Sequence, residues 1–232
     1  MSVAYRATPL PNLWATELAA VLRASGETRV VDLGSGAAGP VNLVVEALEA
    51  QGLLPQVTLT DLYPVERAGE AHRNVRYWPE PVDARAVPPG LPGTRTMFAA
   101  FHHCAPSDAR AILRDAFTQK RAICIFEATS RTPIAIALAF LIPVLVLVLT
   151  PTIRPRSAFQ LVFTYLIPVL PVLIFWDGLV SQLRTYSSSE LLELTAGLDA
   201  PDYQWTSGNT SAPGLPMSVP YLIGRPIRPS SA

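Results

Sequence analysis

Gly34-Ser35-Gly36-Ala37-Ala38-Gly39 fits the spacing G-x-G-x-x-G, in which glycines let a backbone approach a ligand closely at the start of a helix. Asp32 stands two residues ahead of it, and Asp61 ends a second apolar run, so two acids flank the glycines. An acid at the tip of a second strand can accept both hydroxyls of a ribose. Asp32 discriminates between ligands: a pyrophosphate wants apolar neighbours at that place, whereas a cationic sulfonium amino acid tolerates or gains from a carboxylate. The ligand is therefore expected to be positively charged. His102 and His103 close a later strand, at the edge where open α/β sheets bind ligands, so one of them could take a proton from a hydroxyl or an activated carbon acid. Adjacent strand residues face opposite ways, and at most one histidine should act; the competing reading makes both structural. Glu127, ending the next strand, is the other candidate base, unless it pairs with Arg131 or caps a helix. Trp176, Asp177, Arg184 and Tyr186 follow an apolar stretch and could line a substrate entrance. Alternatively Trp176 anchors in an interface, with Asp177 and Arg184 solvated or paired there. Cys104, beside the histidines, reads as a small buried residue rather than a nucleophile.

These residues need elements to hold them. Leu13, Leu18, Val21 and Leu22 recur at helical spacing over 12–24, with Asn12 available as the N-cap. The β-branched run 29–33, the glycine turn and a stretch from Pro40 to Glu49 read as strand, turn, helix. Further strands are expected at 57–61, 75–78, 94–101 and 122–126, with a helix over 107–120. The alternation predicts a Rossmann-like, doubly wound, mostly parallel α/β sheet. Ser187 and Glu190 have the spacing of a capping box, and 203–206 and 219–224 are the last candidate strands before a Pro-rich tail expected to fray.

In that order the pieces resemble the class I S-adenosylmethionine-dependent methyltransferases: Val30-Val31-Asp32-Leu33-Gly34-Ser35-Gly36, then Asp61, then Asp83-Ala84, then Phe101-His102-His103, over roughly residues 28–127. The resemblance implies that Gly34, Ser35 and Gly36 hold the methionine moiety, Asp61 with Leu62 the ribose, and Asp83 with Ala84 and Phe101 the adenine. It implies that Asp32 orients the amino end, and that S-adenosyl-L-methionine is the cofactor. Two departures stand out: Ala37 and Ala38 occupy positions where the family places another glycine, and a long apolar insertion follows the fifth strand. Methyl transfer from a sulfonium is an in-line displacement that depends on approach geometry more than on acid or base help.

Composition limits the partners. The chain has 232 residues, 18 Lys plus Arg against 18 Asp plus Glu, and only 16% charged residues, so nucleic acid is not an expected partner. Two cysteines are too few for a disulfide framework or a thiolate metal site, and no metal is expected. Charges at Arg6, Glu17, Arg23, Glu27 and Arg29 interrupt any secretory leader, which points to the cytoplasm. The mean hydropathy of +0.29 is concentrated. Residues 132–153 and 157–176 carry no charge, and Pro143, Pro168 and Pro171 would kink them. They are expected to form a two-helix apolar hairpin dipping into the cytoplasmic leaflet, or else a cap over the active site or a dimer interface. The organisation expected is 1–131 as the cofactor-binding core, 132–176 as the hairpin and 177–232 as the rest of the core. The function expected is methylation, at oxygen or carbon, of a lipophilic small molecule beside membrane lipid. The competing functions are a nicotinamide-dependent oxidoreductase and a non-catalytic membrane-anchored scaffold.

Overall fold

The computed structural model describes residues 5–64, 72–153, 157–215 and 217–227. The chain divides into two compact units, one built from residues 1–128 and 186–232 and the other from 129–185. The second unit extends further at its C-terminal side than the expected 132–176, because one helix runs without a break through Asp177 to Arg184.

In the first unit, α1 (Leu10–Ser25) leads to β1 (Arg29–Leu33), α2 (Val41–Ala50), β2 (Gln56–Thr60), β3 (Val75–Tyr77) and β4 (Thr94–Phe98). After them come α3 (Pro106–Thr118) and β5 (Ile123–Phe126). The sheet order is β3-β2-β1-β4-β5-β7-β6, where β6 (Tyr203–Thr210) and β7 (Val219–Pro226) form the C-terminal hairpin. The pairings from β3 across to β5 are parallel, while β7 runs antiparallel to both β5 and β6. Parallel strands covered on both faces must be apolar on both, and Ile123, Cys124, Ile125 and Phe126 are each 0% exposed.

Alternation divides these side chains between two cores. Val30, Cys124 and Phe126 join Trp14 and Leu18 of α1 and Val44 and Leu48 of α2. Val31, Leu33, Ile123 and Ile125 join Ile112, Leu113 and Ala116 of α3 on the other face. Trp14, Phe98 and Phe126 pack as an aromatic group, with 5.5 Å between the ring centroids of Phe98 and of each neighbour. Such rings contribute about 1 kcal/mol per pair beyond the area they bury. The capping box holds: the Ser187 hydroxyl accepts from Glu190 N–H and the Glu190 carboxylate accepts from Ser187 N–H, starting a helix at Ser188–Glu193.

Some boundaries differ from the sequence reading. Helix α1 begins at Leu10 behind Pro9, not after Asn12, because proline suits a first turn that has no use for its missing N–H. Strand β4 stops at Phe98, where Ala99 turns with φ +50°, so His102 and His103 lie in a 3₁₀ turn, Phe101–His103, rather than on the strand. Strand β7 runs on through Arg225 to Pro226, while 228–232 lie outside the described residues.

In the second unit, each of the two apolar segments forms a bent pair of helices. Pro133–Ala139 (α4) and Ile142–Leu149 (α5) belong to a pair bent by 42°, and Ala158–Leu161 (α6) opens a second pair, bent by 82° before Val169–Arg184 (α7). The prolines cause the breaks, since Pro143 and Pro168 have no N–H to continue a helical ladder. Gly178 lets α7 approach α5 closely, because a Cβ there would sit 2.7 Å from Ile142 Cδ1. Among the described residues, no single helix is long and apolar enough to cross a membrane, although each bent pair reaches that length and composition together. Many large apolar side chains of this unit are exposed, among them Val148 at 64%, Phe159 at 63% and Leu166 at 77%.

Candidate functional site

At the C-terminal edge of the parallel strands, β1 delivers Asp32 and then turns through Gly34 and Gly36, both at positive φ, +65° and +51°. A Cβ built on Gly36 would meet open space, so packing does not demand glycine there; the left-handed backbone does, and it leaves that face open to a ligand. Ala38 is also left-handed, at φ +68°. The loop therefore keeps the turn without the family's extra glycine, with a strained alanine in its place.

Asp32 lies beneath this loop, 2% exposed. The Ser35 hydroxyl donates to its Oδ2 at 2.6 Å and the Thr96 hydroxyl to its Oδ1 at 2.7 Å. The Thr60 hydroxyl reaches its main-chain oxygen at 2.8 Å, and Thr60 N–H donates to Ser35 Oγ at 3.2 Å. Burial pushes the Asp32 carboxyl up to about 7, against the two hydroxyl bonds that favour its ionised form. Asp32 thus fixes the glycine loop to the neighbouring strands. Sequence reading missed Thr60 and Thr96. The signal available was a threonine on each flanking strand, and Thr96 is the residue in register with Asp32.

Asp61 holds the loop from the other side. One carboxylate oxygen accepts Gly36 N–H at 2.8 Å and the other accepts Tyr63 N–H at 2.9 Å. A carboxylate offers about four acceptor positions, so two are left for a diol. Leu62 beside it is 43% exposed. Val82 N–H donates to the Asp61 carbonyl at 2.9 Å, which brings the Asp83-Ala84 turn to the same edge. That turn presents Asp83 with Arg85 clamped across it at 2.8 Å. The Arg85 side-chain hydrogen bonds hold the Asp83 carboxyl below its ordinary range. Phe101 is 0% exposed, and its ring centroid lies 5.8 Å from that of Tyr186.

The structure brings two of the three candidate bases together. Glu127, just after β5 and 0% exposed, accepts His102 N–H through Oε1 and contacts His102 Nδ1 through Oε2, each at 2.8 Å. Both of its oxygens thus bind His102. Tyr5 lies close by: burial and then the Glu127 charge push its hydroxyl up. The expectation that the two histidines face opposite ways fails, because a 3₁₀ turn does not alternate as a strand does. Their ring centroids are 4.2 Å apart, with His102 buried and His103 exposed. Tyr186 donates its hydroxyl to the Cys104 carbonyl at 2.8 Å, which anchors the end of this turn. Trp176, Asp177 and Arg184 lie on α7 of the second unit, with Trp176 62% exposed. Among the described residues, no cluster of three or more His, Cys, Asp or Glu side chains could hold a metal.

No protein-family model matches the sequence, and no curated protein matches it significantly. Solved structures do match in fold. The plantazolicin methyltransferase BpumL in complex with SAH superposes with a TM-score of 0.57 at 12% identity, covering 96% of this chain and 86% of that one. The mitomycin 7-O-methyltransferase MmcR gives 0.51 at 20% identity, covering 93% of this chain and 53% of that one. Human N-acetylserotonin methyltransferase in complex with SAM gives 0.51 at 13% identity, covering 94% and 54%. The chain thus spans most of BpumL but about half the length of the other two. The sheet order, the glycine turn after β1 and these superpositions establish that the chain has the class I methyltransferase fold.

Proposed function

We propose that the protein is an S-adenosylmethionine-dependent methyltransferase acting on a lipophilic small molecule, at oxygen or carbon. The observation that carries this reading is the Gly34–Gly36 turn docked on the Asp61 carboxylate, with an open face at Gly36. The residues present fit the cofactor: the open backbone face at Gly36 for the methionine moiety, acceptor positions on Asp61 for ribose hydroxyls, and the Asp83-Ala84 turn for an adenine edge. When bound, S-adenosylmethionine supplies an electrophilic methyl group on a positively charged sulfur.

The chain's own residues do the rest. With Glu127 ionised, Nδ1 of His102 is the donor between them, and Nε2 is left to accept a proton from a hydroxyl or carbon acid. Glu127 also holds the His102 backbone, so it positions the ring twice over. The fold is shared with a mitomycin 7-O-methyltransferase, which supports a small-molecule acceptor. The exposed apolar side chains of residues 129–185 support association with the cytoplasmic face of a membrane, and Trp176, Asp177, Arg184 and Tyr186 are proposed to meet the acceptor.

The test is equilibrium binding of S-adenosylmethionine to the purified protein, with NAD and Asp61→Ala run alongside. Micromolar binding that is lost in Asp61→Ala, with no response to NAD, is the expected result. A folded protein that binds NAD and not S-adenosylmethionine would replace this reading with the oxidoreductase one. Cosedimentation with liposomes checks the membrane part separately.

A further inference from the structure

Asp32 is a carboxyl group buried without a counter-charge. It is 2% exposed, and the partners of its carboxyl, the Ser35 and Thr96 hydroxyls, are neutral. From β2, the Thr60 hydroxyl goes to the Asp32 main-chain oxygen, and Asp61, just past the strand, carries a charge of the same sign that opposes ionisation of Asp32. Among the described residues, no Lys, Arg or His pairs with the Asp32 carboxyl. A buried charge without a partner is costly, and such a group keeps its proton instead. The two hydroxyl bonds work the other way, and the balance leaves Asp32 at about 7, where a neighbouring charge decides between its two forms. The two acids hold adjacent residues of one loop, Asp32 at Ser35 and Asp61 at Gly36, and the open face at Gly36 is the one assigned to the cofactor.

Resting on that cofactor assignment, we propose that the sulfonium of S-adenosylmethionine supplies the counter-charge to Asp32, so that its binding ionises the carboxyl and releases a proton to solvent. S-adenosylhomocysteine, the thioether left after methyl transfer, lacks that charge and leaves the proton in place. Asp32 thereby makes the loop prefer the methyl donor to its own product. The interaction acts through space across the loop and asks for no contact with the carboxylate. Its sign follows from linkage: the sulfonium binds best to the protein with Asp32 ionised, and that fraction rises with pH and levels off above about 7. Between about pH 6 and pH 7 the fraction goes from roughly one tenth to one half, so the affinity for S-adenosylmethionine relative to S-adenosylhomocysteine should rise up to about fivefold.

The experiment is calorimetric titration of the intact protein with each ligand from pH 6 to 7, below the range in which an α-amino group titrates, in two buffers of different ionisation enthalpy. In the wild type the affinity ratio should rise about two- to fivefold, and S-adenosylmethionine should release more than about half a proton near pH 6.5 while S-adenosylhomocysteine releases clearly less. In Asp32→Asn, which is isosteric and does not titrate, both the rise and the difference in proton release should vanish. A constant ratio in the wild type, equal proton release by the two ligands, or the same behaviour in Asp32→Asn would overturn the proposal while leaving cofactor binding established. If neither ligand binds the folded protein, the methyltransferase reading and this one fall together. Proton release is read on the wild type alone, so the decision does not depend on how well the variant folds.

Discussion

Replacing Asp32 by Asn tests the account of the glycine loop through its pH dependence. Burial raises the Asp32 carboxyl from the usual 3.8 to about 7. Between those values the native state keeps a proton that the unfolded chain has released, so this group's contribution is fully present below about pH 4 and is lost as pH rises to about 7. At about 1.4 kcal/mol per pH unit, the loss amounts to ~4 kcal/mol above about pH 7. Asn is isosteric and does not titrate. It loses one hydroxyl's acceptor, which costs about 1 kcal/mol at every pH, although Ser35 has the Asp32 carbonyl at 3.0 Å as an alternative acceptor. The two stability curves should therefore cross: wild type is the more stable at about pH 4, and Asp32→Asn is the more stable by ~3 kcal/mol at about pH 8. Urea unfolding followed by tryptophan fluorescence checks this, with both proteins carrying Trp176→Phe so that the signal comes from Trp14, Trp78 and Trp205 of the first unit. A difference between the two proteins that stays constant across that range would refute the buried, proton-holding carboxyl.

Four other outcomes follow from the geometry. His102→Ala should lower methyl transfer by about 10²- to 10⁴-fold without changing S-adenosylmethionine affinity, and added imidazole should restore part of it; Glu127→Gln should lower turnover with the cofactor affinity unchanged. Gly93 has φ +140°, and a Cβ there would lie 2.6 Å from the Arg29 carbonyl oxygen, so Gly93→Ala should destabilise by more than about 2 kcal/mol in thermal or urea unfolding. Tyr186→Phe removes the bond to the Cys104 carbonyl and should cost about 1 kcal/mol, read in the same unfolding assay.

The glycine turn and its two flanking acids were legible because their pattern is local: strand, turn and helix follow one another within a few residues. The partners of those acids were not. Asp32 meets Thr96 because the parallel register of β1 and β4 sets them side by side, and no spacing along the chain encodes that register. The same holds for His102 and Glu127, each a candidate alone. The register that pairs Phe98 with Phe126 is what carries the segments beyond β4 and β5 to a common edge. In the apolar segment the prolines announced kinks, but the size of each bend depends on how α5 and α7 pack, which again lies outside local sequence.

The place of β7 in the sheet bears on how the protein is made. Ile123 to Phe126 of β5 pair with Tyr221 to Gly224 of β7, and the entire apolar unit is synthesised between them. During translation β5 is therefore an edge strand, buried by nothing on that side, while the most hydrophobic part of the chain leaves the ribosome. This long-range closure predicts a slow final folding step, and a window in which a chaperone or a membrane surface can engage the nascent chain before the sheet is sealed.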